Sequence, residues 1–195
     1  MLNNSNLVPK LSLGTRLGNQ AAFAEGGFFV TNQTRAQKIE SYGRAYDLLI
    51  EGLKQFPVEM WHFRPAPDLW TIHEIVIHIA DSEANSYIRC RRFIAEPGQQ
   101  VMAYDEEGWA ARLEYHRQST EDALELFKWL RHNTYKLIRS LPEALWANTV
   151  YHPENGTMTL DDWLDIYERH IPEHLAQMRE NYTAWVKQTQ ERNIA

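Results

Sequence analysis

Apolar residues recur at helical spacing along four long segments of the chain, and in the first segment the steps alternate between three and four. This spacing places them on one face of a helix, which is typical of a helix that buries one side. The first segment ends at Pro57, which has no amide donor to continue a helix, and its apolar positions are Ile39, Tyr42, Tyr46, Leu49, Leu53 and Phe56. The pattern predicts a first helix over residues 33–56.

Capping signals indicate where the other three helices begin. A hydroxyl residue precedes an acidic residue by three positions in the pairs Thr71 and Glu74, Ser119 and Asp122, and Thr159 and Asp162. Such pairs satisfy the free amide groups of a helix N-terminus. We therefore predict helices that begin at these three positions and end before Pro97, before Pro142 and near Lys187.

The segments between the helices differ in character. Residues 97–117 form a long crossing connection, with a short helix expected around Trp109. Asn155-Gly156 is a turn signal that would also suit a small hairpin. Residues 1–32 are rich in Asn, Gly, Ser and Gln without helical or strand periodicity, and we interpret them as a flexible or irregular extension. The predicted fold is all-α: one four-helix bundle over residues 33–190.

Charge and composition exclude several classes of function. The 195 residues carry 20 basic and 26 acidic side chains, a net charge of −6, and no long basic stripe, which argues against nucleic acid as a partner. No apolar run approaches the roughly 20 residues that span a bilayer. One cysteine, Cys90, permits no internal disulfide or cysteine-based zinc site, and we expect it to be buried. These features predict a soluble, cytoplasmic protein without a membrane partner.

Two histidines on the fourth helix are the strongest chemical signal. His170 and His174 are one turn apart on a face that begins and ends with apolar residues, so both imidazoles should point into the bundle. His78 lies between Ile77 and Ile79 on the second helix and is the expected partner. Neutral imidazoles at such positions suit one metal ion, although carboxylates would also satisfy buried rings.

Two carboxylates flank His78 along the helix. Glu74 lies four residues before it and Asp81 three residues after it, so either could serve as a general base or hydrogen-bond the imidazole. A solvated helix flank is the alternative interpretation. Pro172, between the two histidines of the fourth helix, is expected to kink it. The remaining histidines should be exposed or make loop contacts: His62, His73, His116, His132 and His152.

Three segments in order resemble the DinB/YfiT-like superfamily of metal-binding four-helix bundles. They are Trp70–Glu83, Ala103–Ala110 and Tyr167–Gln177. The resemblance implies an up-down-down-up bundle with a long crossing connection, and a divalent-metal site of His78, His170 and His174. It also implies that Asp105 and Trp109 pack near the site. Pro172 departs from the helix-continuing residue usual in that family.

The resemblance also suggests the reaction. The superfamily includes S-transferases that use low-molecular-weight thiols such as bacillithiol, a mycothiol-dependent isomerase, and proteins formerly classed as hydrolases. We expect a small-molecule substrate and a homodimer. Zinc is the first expectation for an imidazole site, with nickel, manganese or iron as alternatives. Three hypotheses remain open: thiol transfer, hydrolysis by metal-activated water, and a non-catalytic helical interaction module.

Overall fold

The computed structural model describes residues 33–194, which contain six α-helices and one two-stranded antiparallel sheet. The predicted extension of residues 1–32 lies outside the described residues. The helices are α1 (Arg35–Gly43), α2 (Ala45–Leu53), α3 (Ile72–Ala95), α4 (Glu106–Arg112), α5 (Thr120–Ile138) and α6 (Leu160–Ile194). The strands are β1 (Thr149–His152) and β2 (Gly156–Thr159).

The predicted capping residues begin the helices as expected. The Thr71 hydroxyl accepts a hydrogen bond from the amide of Glu74 at 3.1 Å, and the Glu74 carboxylate accepts one from the amide of Thr71 at 2.9 Å. Thr159 and Asp162 make the same reciprocal pair before α6. These bonds satisfy amides that have no partner within the first turn.

The first predicted helix is two helices rather than one, so the prediction of a single helix over residues 33–56 is wrong. The break lies at Arg44. Its backbone N–H group donates to both Glu40 O at 3.2 Å and Ser41 O at 3.1 Å. Gly43 lies directly against the ring of Tyr135, where a Cβ atom would overlap it. Glycine permits this close approach but weakens the helix at that point.

Contacts with α6 establish the direction of two of its neighbours. Arg35 contacts Asp161, and Ser41, further along α1, contacts Glu168, further along α6. Helices α1 and α6 are therefore parallel. Asn181, in the second half of α6, contacts Trp70 just before α3, and Tyr167, near the start of α6, contacts Arg89 in the second half of α3. Helix α3 is therefore antiparallel to α6.

Helix α5 runs parallel to α3. Their side chains pair as Glu83 with Arg131 and Arg91 with Thr134. With α1 and α2 together as the first member, the bundle has the up-down-down-up order that the resemblance implies. Two consecutive parallel helices require a long return connection, and the segment between α3 and α5, which includes α4, provides it.

The hairpin before α6 holds the start of this connection. Val150 of β1 pairs with Met158 of β2 across the turn at Gly156, whose φ of 72° suits glycine. The connection runs beside β1, where the Val101 amide donates to Tyr151 O at 2.9 Å. The expected hairpin is confirmed, and it brings the connection against the bundle.

The inward face predicted for the last helix is buried as expected. Trp163 and Tyr167 are almost fully buried, and so are both histidines of this helix.

Helix α6 continues through Pro172 and extends beyond the predicted end near Lys187. The Cys90 side chain is buried, which confirms that expectation. Among residues 33–194, no helix combines the length and apolar character needed to cross a bilayer.

Candidate metal centre

Three histidines from two antiparallel helices meet in the bundle interior. His78 of α3 and His170 and His174 of α6 offer ring nitrogens that all lie within 4.8 Å of one another. The ring centroids are 5.6 Å apart for His78 and His170, 5.0 Å for His78 and His174, and 4.5 Å for His170 and His174. No more than 5% of any of these residues is exposed. The structure thus brings together all three histidines singled out from the sequence.

The two imidazoles of α6 face each other through their Nε2 atoms. These atoms are 3.0 Å apart, and His174 Nδ1 lies 2.9 Å from Gln177 Oε1. When Nδ1 donates to Gln177, the neutral ring presents its Nε2 lone pair towards His170. Gln177, one turn further along α6, therefore orients His174.

All three histidines are neutral at pH 7. Burial lowers the pKa of His78 and His170 well below the usual value, and the neighbouring histidines lower it further. Burial also lowers the pKa of His174 to about 4, although its bond to Gln177 opposes this shift. Neutral imidazoles retain the nitrogen lone pairs that a metal ion requires.

The cluster suits a divalent cation because its ring nitrogens are buried and neutral. Among residues 33–194, Nδ1 of His78 and Nδ1 of His170 are buried without a hydrogen-bond partner. Leaving such groups unsatisfied costs free energy. The centroid of the Trp70 ring lies 4.7 Å from that of the His78 ring. Three neutral nitrogen donors in a buried position form a donor set that binds zinc and similar ions.

The two carboxylates predicted beside His78 have other partners. Glu74 belongs to the helix cap and forms an ion pair with Arg64 at 2.5 Å. Asp81 accepts a hydrogen bond from the Tyr115 hydroxyl at 2.6 Å. Tyr115 lies in the connection after α4, so Asp81 ties that connection to α3. The role of Glu74 or Asp81 as a general base stays a prediction.

The remaining histidines are exposed or make loop contacts, as expected. His62, His116 and His132 are exposed, as predicted. His73 is buried, and its Nε2 atom makes a loop contact 3.1 Å from Tyr115 O. His152 is also buried, within β1, and makes a loop contact, because its Nδ1 atom accepts a hydrogen bond from the amide of Glu154 in the turn at 3.2 Å. Its burial depends on the hairpin packing against the bundle, which the local sequence does not reveal.

The structure adds a pocket that sequence reasoning missed. Arg89 and Tyr167 line it from α3 and α6, and Glu106 lines it from α4. Tyr167 connects the two sites, because its ring centroid is 6.0 Å from that of His170. One signal was present in the sequence: Arg89 follows His78 by three helical turns on α3, so the two share a face.

Comparison with known proteins places these features in a family. A protein of Oceanobacillus iheyensis is 34% identical over 107 residues, which are 55% of this chain and 62% of that protein. YfiT of Bacillus subtilis is 30% identical over 112 residues, which are 57% of this chain and 63% of YfiT. Both relatives are provisionally named metal-dependent hydrolases. The matched part of the chain thus spans less than two thirds of either relative.

The solved structure of Bacillus subtilis YfiT shares the fold. It matches with a TM-score of 0.70 and 23% identity, covering 87% of this chain and 95% of that one. Its description is a probable metal-dependent hydrolase with an unusual four-helix bundle topology. The sequence pattern of the DinB superfamily matches residues 41–178, which include all three clustered histidines. The chain therefore belongs to the DinB superfamily.

Proposed function

We propose that this protein is a metal-dependent enzyme that transfers a low-molecular-weight thiol to a small electrophilic substrate. In this proposal His78, His170 and His174 hold one divalent cation. The observation that supports it is the meeting of three buried neutral imidazoles, two of which have a ring nitrogen without a partner in the described part of the chain. Zinc is the expected ion, with nickel, manganese or iron as alternatives for an imidazole-rich site.

Three protein ligands leave a coordination position open, as in catalytic rather than structural sites. When bound there, a divalent cation would lower the pKa of a thiol or water in the open position. Residues of this chain keep the three imidazoles neutral and correctly oriented for an ion. Burial keeps the three rings neutral, Gln177 orients His174, and the Trp70 ring packs against His78.

The partners of the two α3 carboxylates favour thiol transfer. Water is a far weaker acid than a thiol, whose pKa of about 8.5 needs little lowering at neutral pH. A hydrolase would benefit from a free base beside the rings, whereas Glu74 and Asp81 already bind Arg64 and Tyr115. In the transfer, sulfur forms a bond to the electrophilic carbon, the leaving group departs with the electron pair of its broken bond, and the thiol proton passes to solvent.

Hydrolysis is the second candidate, and the names of the relatives favour it. It would use the same histidines, and water would take the place of the thiol. The two reactions are separated by their requirement for thiol, so one assay distinguishes them.

The metal assignment is tested by elemental analysis and by titration with Zn²⁺ and Ni²⁺. The wild-type protein should take up about one ion per chain, and His78→Ala, His170→Ala and His174→Ala should each lose most of the affinity. The matched control is His132→Ala, because His132 is exposed on α5. Full metal uptake by all three variants would contradict the assignment. If the wild-type protein took up no ion, the result would favour a non-catalytic helical module.

The reaction is tested with the metal-loaded protein, a chloro-dinitrobenzene and cysteine as the thiol. We expect thioether formation to be faster than in a protein-free control, to depend on added thiol, and to fall to the control rate in His170→Ala. Product release from ester substrates without any thiol, together with thioether formation no faster than in the control, would favour hydrolysis instead. His132→Ala should behave as wild type in either assay.

A further inference from the structure

A second feature of interest is the pocket between the hairpin, α3, α4 and α6. It is partly open to solvent. Like many pockets that bind small molecules, it has a mainly apolar lining and a few polar groups. The apolar lining comes from both the bundle and the hairpin: Phe93, Val101, Val150, Met158, Trp163 and Ile166.

The guanidinium of Arg89 is the buried charge of this pocket. Arg89 is 9% exposed, and neutral groups hold it: Met102 O accepts from Nε at 3.1 Å and from Nη2 at 2.6 Å, and the Tyr167 hydroxyl accepts from Nη1 at 3.0 Å. An arginine has five N–H groups, so two remain beyond these three bonds. Over residues 33–194, no acidic side chain forms an ion pair with Arg89.

A buried cation whose partners among residues 33–194 are a carbonyl and a hydroxyl favours an anion from outside. Burying an uncompensated charge costs free energy, and a guanidinium binds a carboxylate through two parallel N–H bonds. The two remaining N–H groups of Arg89 match this need. Arg89 therefore has both the electrostatic requirement and the donors for a carboxylate ligand.

Glu106 is the acidic group that could compete with such a ligand. Burial and the nearby Glu154 raise the pKa of Glu106 to about 7, although Arg89 opposes this shift. Below pH 7 the Glu106 carboxyl is mainly protonated, so it leaves Arg89 without a counter-ion. The titratable and charged groups around Glu106 are Arg89, Tyr104, Glu107, Tyr115, His152, Glu154 and Tyr167.

We propose that this pocket binds a small monocarboxylate with an apolar body, and that Arg89 holds the carboxylate. The apolar lining would take the body of the molecule. Tyr167 bonds Arg89 through its hydroxyl and packs against His170 through its ring, so the pocket adjoins the histidine cluster. The suggestion that this carboxylate is a substrate of the metal centre rests on the proposed function. Binding of the carboxylate in the pocket is tested separately.

The test is a binding measurement with three probes of one shape: phenylpropionate, phenylpropanamide and phenylpropylamine. Calorimetry at pH 6 should show the carboxylate binding at least about tenfold more tightly than the amide or the amine, the loss typical of one hydrogen-bonded charge. Equal affinity for carboxylate and amide would overturn the proposal, and so would a preference for the amine.

Two arginines of α3 provide a matched comparison. Arg89→Gln should weaken phenylpropionate binding at least about tenfold. Arg92→Gln, which removes the same charge from a partly exposed side chain, should leave the affinity within about twofold. Equal losses in both variants would mean a general charge effect and would overturn the assignment to Arg89.

A third variant keeps the test decisive if Arg89→Gln fails to fold. Phenylpropionate stays ionised from pH 6 to 8, so its affinity should fall several-fold over this range as Glu106 ionises. Glu106→Gln should abolish that fall and keep the affinity at its value for low pH. A pH dependence that is unchanged in Glu106→Gln would contradict the pocket's proposed electrostatics.

Repeating the calorimetry with and without Zn²⁺ separates this inference from the proposed function. Arg89-dependent binding in a protein that takes up no metal would contradict the metal centre and retain the carboxylate site. Metal uptake and thiol transfer with no preference for the carboxylate probe would support the metal centre and contradict the carboxylate site.

Discussion

The buried ion pair between Glu83 and Arg131 permits a sharp prediction about stability. Both side chains are at most 1% exposed, and Arg131 Nη2 lies 2.6 Å from Glu83 Oε2. The Tyr42 hydroxyl donates to Glu83 Oε1 at 2.7 Å, and Arg131 Nη1 donates to Tyr167 O at 3.1 Å. The network therefore joins α1, α3, α5 and α6, and it reaches α6 one turn before His170.

Arg131→Met should destabilise the protein strongly, because it leaves the Glu83 carboxylate buried without its cation. Removing one partner of such a pair typically costs about 3–5 kcal/mol. For a chain of this size, about 2–4 °C of melting temperature correspond to each kcal/mol, so the loss should be about 6–20 °C. Removing both charges in Glu83→Leu/Arg131→Met should be milder, with a residual cost of about 1–3 kcal/mol because Tyr42 loses its acceptor.

Urea denaturation followed by circular dichroism measures these effects. The control is Arg117→Met, which removes an exposed ion pair with Glu114 and should cost no more than about 1 kcal/mol. A cost below about 1 kcal/mol for Arg131→Met would refute the reasoning. So would a double variant whose destabilisation equals the sum of the two single substitutions, since the charges would then act independently.

Three further substitutions or modifications test other parts of the structure. Thr71→Ala removes the hydroxyl that caps α3 and should lower the free energy of unfolding by about 1 kcal/mol in urea, while Thr71→Ser should restore most of it. Gly52→Ala places a Cβ atom on the Leu175 side chain and should cost about 1–3 kcal/mol; an unchanged denaturation midpoint would contradict this packing. Burial raises the pKa of the Cys90 thiol to about 12, so iodoacetamide should modify this thiol only when the protein is unfolded in urea. Mass spectrometry measures the modification, and rapid modification of the folded protein would be inconsistent with the burial of Cys90.

Helix starts could be predicted because capping is local. Thr71 and Glu74 satisfy each other's amides across three residues, whatever lies elsewhere in the chain. The break after Gly43 could not be predicted in this way. It accompanies the close approach of Tyr135 from α5, which lies more than ninety residues further along the chain. The burial of His152 has a similar reason, because it depends on how the hairpin packs against the bundle.

Local periodicity also predicted part of the candidate site. The spacing of His170 and His174 indicates a shared inward face on any helix, and the apolar neighbours of His78 indicate a second buried imidazole. The roles of Glu74 and Asp81 were harder to judge, because their partners Arg64 and Tyr115 lie in irregular connections. Homodimerisation stays a prediction.

The sequence by itself determined where the helices begin, which faces turn inward and which side chains are available as metal ligands. These properties follow from interactions within about four residues. The tertiary structure alone decided that α3 runs antiparallel to α6, so that His78 meets His170 and His174. It also decided that Arg89 reaches Tyr167 across 78 positions of sequence. Packing of the bundle and its long return connection produces such contacts, and no local pattern encodes them.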